Sequence, residues 1–153
     1  MLHFAYGSNM YPAVMRKHAP AATPLGVARL EHHRFVITAD GYASVVPARN
    51  YVVHGLMWRL TPRDRVTLDL WENTASGLYR AGTLPVHFAG TLRAALIYVA
   101  RQRPDGAPKP GYVEIVVKAA RALELPQAYI ASLEQWLPRR ASGAGHRKLE
   151  PFV

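Results

Sequence analysis

The stretch from Leu78 to Ala100 constrains this chain more than any other. Two strand-like arms, Leu78–Phe88 and Thr91–Ala100, are separated by Ala89-Gly90, a spacing that reads as a tight β-hairpin. Beyond Arg93 the second arm is wholly apolar, from Ala94 to Ala100. A strand of that kind hides both faces, which suits a closed or nearly closed sheet better than an open one with a wet side. At 153 residues the chain is long enough to bury one such core and needs no second domain.

The remaining patterns surround that hairpin. Leu2–Tyr6 reads as a strand and Met10–His18 as a short helix, broken by the Pro20–Pro24 segment. Val27–Thr38 is strand-like, with His32-His33-Arg34 marking an exposed bend or edge, and Asp40-Gly41 is a turn. Ala43–Val46 is a short strand bounded by Pro47, and Tyr51–Leu60 a longer one in which Gly55 marks a bulge or the close approach of another backbone. Thr61-Pro62 is a strong helix start, with Thr61 as cap and Pro62 in the first turn, and the helix runs to about Glu72, stopping near Asn73 or Gly77. After a proline-rich loop from Arg101 to Pro110 come two helices. In Tyr112–Leu123 the polar residues Glu114, Lys118 and Arg121 form one narrow stripe; the other, from Pro126, has Tyr129, Ile130, Leu133, Trp136 and Leu137 on one face. Strands dominate without regular alternation with helices, which predicts an α+β fold with a compact, mixed, barrel-like sheet and flanking helices. The domain is placed at residues 1–138, with 139–153 as a basic C-terminal tail.

Several function classes fall away. Without cysteine there is no disulfide framework, thiol nucleophile or zinc-thiolate site. The longest apolar run, Ala94–Ala100, is far short of a membrane span, and the N-terminus lacks the pattern of a secretion signal, so the expectation is a cytoplasmic protein without membrane attachment. The formal charge of +9 comes from 19 Lys and Arg against 10 Asp and Glu. Only Arg139–Lys148 gathers cations, around a Ser-Gly-Ala-Gly linker, and reads as a solvated tail. Aromatic residues are not interleaved with basic ones on a strand face, so no nucleic-acid partner is expected. The histidines show no ligand spacing and the glycines no phosphate-cradling motif, so no metal and no cofactor are expected. Oligomeric state leaves no mark in the sequence.

What chemistry there is sits at two places. Phe4-Ala5-Tyr6-Gly7-Ser8-Asn9 carries a strand into a glycine, two small polar residues and a helix, an order that aims several N–H groups at one point and suits a carboxylate or an oxyanion. Gly7 is expected to take backbone angles closed to other residues. By composition the same stretch reads equally as a strand-ending turn with a helix cap. Glu72 ends a helix carrying Val66, Leu68, Leu70 and Trp71, surroundings that would desolvate its carboxylate; Asp69 would raise its pKa further if the two side chains converge. Periodicity by itself favours a solvated helix-end glutamate, and tyrosines such as Tyr79 and Tyr112 are by composition ordinary core or rim residues.

The segment Phe4-Ala5-Tyr6-Gly7-Ser8-Asn9-Met10 resembles the N-terminal signature of the γ-glutamylcyclotransferase family, which includes the AIG2-like proteins. Further resemblances follow in the family's order: Val27-Ala28-Arg29-Leu30, His54-Gly55-Leu56-Met57-Trp58, Leu68-Asp69-Leu70-Trp71-Glu72, Ser76-Gly77-Leu78-Tyr79-Arg80 and Pro110-Gly111-Tyr112. The similarity spans roughly Leu2 to Leu137, and an ordered set is far more specific than any member. It implies a compact α+β barrel in which Phe4 to Asn9 bind the γ-glutamyl part of a small-molecule substrate, Glu72 is the general acid/base, and Tyr79 and Tyr112 stand at the site wall. Asn73 replaces a glycine frequent in the family after the glutamate, a position where asparagine also accepts a left-handed backbone. The implied reaction cyclises a γ-glutamyl amino acid or amine to 5-oxoproline and frees the amine. Glutathione is disfavoured, because glutathione-specific relatives carry another residue where this chain has Asn9. The Arg101–Pro110 loop is expected to be a specificity element. Two alternatives stand beside this reading: a non-catalytic module of the same fold that binds an anionic metabolite, and a basic nucleic-acid-binding protein.

Overall fold

A computed structural model describes residues 1–72, 74, 77–101 and 103–138. The expected basic tail, 139–153, and the Asn73 and Ser76 positions of the motif lie outside these residues.

The order is β1 (Leu2–Ala5), a 3-10 turn (Ser8–Met10), α1 (Pro12–His18), β2 (Thr23–Ile37), β3 (Ala43–Arg59), α2 (Pro62–Trp71), β4 (Tyr79–Phe88), β5 (Thr91–Ala100), α3 (Tyr112–Ala122) and α4 (Gln127–Glu134). The strands close into a barrel in the order β1-β3-β2-β4-β5. Among the described residues only the closing β1–β5 contact is parallel, through His3 opposite Leu96, so the sheet is mixed. The hairpin that predicts closure pairs in unbroken register from Tyr79 opposite Ala100 to Phe88 opposite Thr91. Its turn residues both take positive φ, 51° at Ala89 and 80° at Gly90, matching the right-handed strand twist. Ala95 to Tyr98 are buried, as a strand enclosed on both faces must be.

Pro47 does not end a strand. β3 runs through it as one 17-residue strand, where two strands were expected. Pro47 opposes His33 at the edge of a register break, in which His32 alone on β2 lies across from Ala48 to Tyr51 on β3. His32 and Asn50 turn to φ 60° and 68° there, and a proline beside such a break deprives the ladder of little. Gly55 serves close approach and no bulge: its register with Ala28 is regular, and a Cβ there would overlap the Ala5 carbonyl oxygen.

Helix α2 starts as Thr61-Pro62 requires. The Thr61 hydroxyl accepts from Asp64 N–H at 3.1 Å while the Asp64 carboxylate accepts from Thr61 N–H at 3.4 Å, a reciprocal cap. α4 ends at Glu134, short of expectation, and Trp136 and Leu137 pack against the core beyond it.

Candidate active site

Every residue singled out above as a site candidate lines one cavity of about 280 Å³: Phe4 to Asn9 from the end of β1, Glu72 from the end of α2, and Tyr79 and Tyr112 from β4 and α3. The loop is built differently from its sequence reading. After Ala5 the chain forms a 3-10 turn, closed by Met10 N–H to Gly7 O at 3.1 Å and Tyr11 N–H to Ser8 O at 3.0 Å, and the α-helix starts only at Pro12. The N–H groups opening that turn, those of Ser8 and Asn9, are the ones such a turn leaves unpaired within itself. Gly7 has φ −107°, so no left-handed backbone demands glycine. Space demands it: a Cβ on Gly7 would sit 2.6 Å from the Tyr112 hydroxyl.

Glu72 caps the C-terminus of α2, its N–H bonded to Leu68 O at 2.8 Å. Glu72 is half-buried and lines the cavity, and Asn9 Nδ2 donates to its Oε1 at 3.1 Å. Burial pushes the Glu72 pKa up to about 7, against the Asn9 hydrogen bond, which favours the charged form. The burial does not come from an apolar helix, because Val66 and Leu70 are 61% and 70% exposed; the cavity's aromatic wall encloses the carboxylate instead. Nor does Asp69 converge on it. Asp69 accepts from Arg65 Nε at 2.9 Å and from the Tyr98 hydroxyl at 2.7 Å, partners that occupy its charge elsewhere.

The tyrosines are tied to backbone. Tyr79 Oη donates to Ala43 O at 2.8 Å, Ala43 N–H donates to Tyr112 Oη at 3.2 Å, and Tyr6 Oη donates to Tyr98 O. Ser8 meets the Tyr112 hydroxyl with both its N–H and its side chain. Burial raises the pKa of Tyr6, Tyr79, Tyr98 and Tyr112, so these phenols keep their protons at neutral pH and act as donors.

The cavity also includes His3, Tyr42, Ala43, Trp71 and Tyr98, which sequence reasoning passed over. His3 directly precedes the loop motif, and Trp71 precedes Glu72; Tyr98 lay hidden in the apolar arm. Trp71 is held by a face-to-face stack on His18, ring centres 3.7 Å apart. The Arg101–Pro110 loop does not reach the cavity wall through its described residues. It packs on the β2–β3 turn through Ala39 N–H to Arg103 O at 3.0 Å and Gly106 N–H to Ile37 O at 2.7 Å. Among the described residues no group of three histidine, aspartate or glutamate side chains is placed to hold a metal, and no helix is long and apolar enough to cross a membrane.

The barrel has the γ-glutamylcyclotransferase-like fold. The chain belongs to the AIG2-like family, whose model matches residues 52–133. It is 24% identical to the gamma-glutamylcyclotransferase of Mus musculus, an alignment that covers 99% of this chain and 87% of that protein, and the Homo sapiens gamma-glutamylcyclotransferase gives the same figures. A solved gamma-glutamyl cyclotransferase superposes with a TM-score of 0.83 at 24% identity, over 94% of this chain and 92% of that one.

Proposed function

We propose that the chain cyclises a γ-glutamyl amide to 5-oxoproline and releases the free amine, with Glu72 moving the protons. The observation that carries this reading is the position of Glu72, a carboxylate with a pKa near 7 that shares a cavity with the Gly7–Asn9 turn.

The nucleophile is the substrate's own α-amino group, so a serine or cysteine nucleophile is unnecessary. Glu72, ionised at neutral pH to a useful fraction, takes a proton from the α-ammonium. The freed nitrogen attacks the γ-carbonyl carbon and closes a five-membered ring. The oxyanion that forms is met by the Asn9 N–H at the opening of the turn. Protonated Glu72 then delivers its proton to the departing nitrogen as the original C–N bond breaks. Over the whole reaction two protons leave the attacking nitrogen and two reach the leaving one, so no water is consumed and net charge is unchanged. Asn9 Oδ1, buried and without a protein partner among the described residues, is an acceptor for the incoming ammonium. No lysine or arginine lines the cavity among the described residues, so recognition of the substrate's carboxylate falls to backbone N–H and hydroxyl groups.

The test is release of 5-oxoproline from a panel of γ-glutamyl amino acids and amines. A folded protein that releases none from any of them, and binds the same compounds unaltered when Glu72 becomes glutamine, would instead be the binding module of the same fold.

A further inference from the structure

His3 lines the cavity and takes no part in the proton transfers just described. It is only 2% exposed, and its Nδ1 lies 3.0 Å from the Leu96 carbonyl oxygen on β5. A carbonyl oxygen only accepts, so the ring's hydrogen is on Nδ1. Burial holds the imidazole pKa down to about 4, with Arg65 acting in the same direction, so the ring is neutral near pH 7 and Nε2 carries a bare lone pair. No protein group bonds that buried nitrogen among the described residues. The Tyr98 ring meets His3 edge to face at 5.5 Å, but the Tyr98 hydroxyl is spent on Asp69.

The location narrows what His3 could address. Asn9 bonds Glu72 at 3.1 Å, so the Gly7–Asn9 turn and the carboxylate meet on one part of the cavity, the part assigned above to the glutamyl group. His3 is held instead from the β5 side, bonded to Leu96 and packed on the Tyr98 ring. What is left of the substrate on that side is the amine portion.

We propose that His3 is a specificity-determining residue, whose Nε2 accepts a hydrogen bond from an N–H or O–H group on the amine portion of the substrate. This rests on the cyclotransferase reading and deepens it. Leaving groups with a second donor fill the acceptor, whereas a plain alkylamine would shut it away unpaired. Discrimination of this kind is steep, because the penalty falls on a buried polar atom already in the protein.

The experiment compares γ-glutamyl hydroxyalkylamides with γ-glutamyl alkylamides of matched length, across a short series of chain lengths, in the full chain. At the best length the hydroxyl is expected to raise kcat/KM on the order of tenfold, mainly through KM. His3→Phe, checked for folding by circular dichroism, is expected to bring the ratio to about one, and His3→Gln, which keeps an acceptor, to recover part of it. A wild-type ratio of one at every length, or a preference that survives His3→Phe, overturns the proposal and leaves the cyclotransferase reading standing. Absence of 5-oxoproline from every member sinks the cyclotransferase reading, and this one with it. Should His3→Phe fail to fold, ¹⁵N resonances of His3 in the Glu72→Gln protein decide. The Nε2 signal is expected to move on adding the hydroxyalkylamide and stay with the alkylamide; an identical response to both refutes the assignment.

Discussion

Asn9 Nδ2 donates to Glu72 Oε1 at 3.1 Å across 63 positions of sequence, joining the loop that ends β1 to the carboxylate that ends α2. The two residues set one another's state. Burial favours the protonated carboxyl, and the Asn9 amide favours the carboxylate, and the balance falls near neutral pH.

Glu72→Gln is expected to lower kcat by about 10²–10⁴ in a 5-oxoproline release assay, the usual contribution of one positioned acid/base. Circular dichroism should show the fold intact, since glutamine keeps the shape and can still bond Asn9.

The pH–rate profile follows from the same group. With the free-enzyme base titrating at about 7, kcat/KM should rise with pH along a limb centred there. Asn9→Ala removes the donor that favours the charged form, so the limb should move to higher pH. An unmoved or lowered limb in Asn9→Ala would contradict the pairing.

Stability carries the opposite pH signature. The folded-state pKa of Glu72 is raised from 4.5 to about 7, so its contribution is fully present below 4.5 and is lost as pH rises through 7. At pH 8 the loss is at most about 3 kcal/mol, less to the extent that cavity water solvates the carboxylate. Urea melts at pH 5 and pH 8 should show this fall in the native protein and a smaller one in Glu72→Gln.

Gly7→Ala should act through Tyr112. The added Cβ meets the phenol oxygen at 2.6 Å and must displace the hydroxyl that accepts from Ala43 N–H. Removing that oxygen first, in Tyr112→Phe, should make Gly7→Ala milder, with a coupling of about 1–2 kcal/mol in a double-mutant cycle of unfolding free energies. Additive effects would show that the glycine serves something other than this contact.

Gly55→Ala should destabilise by about 3 kcal/mol or more, because the new Cβ runs into the Ala5 carbonyl and lies 2.9 Å from the Phe4 ring, both parts of a buried strand with little room to yield. Since Phe4 and Ala5 line the cavity, turnover should fall as well, which the same melts and release assay would record.

Local chemistry was legible in the chain before any coordinates. Thr61, Pro62 and Asp64 determine the start of α2, because a cap involves only neighbours in sequence, and Ala89-Gly90 determines the β4–β5 hairpin for the same reason. The apolar run from Ala94 demanded enclosure, and the barrel supplies it for Ala95 to Tyr98, while Ala94 stays exposed and Val99 and Ala100 half-buried. The ordered motifs named the family and selected residues that do share one cavity. Only the tertiary structure decided which partner each side chain takes. Asp69 stands three residues from Glu72 yet turns to Arg65 and Tyr98; Gly7 is required by a tyrosine more than a hundred positions away; β3 passes through Pro47 because its ladder with β2 breaks register beside that residue; and His3 and Tyr98 join the cavity wall through barrel closure. These outcomes depend on non-local pairing and on the volume left between packed elements, and neither is encoded in the spacing of nearby residues.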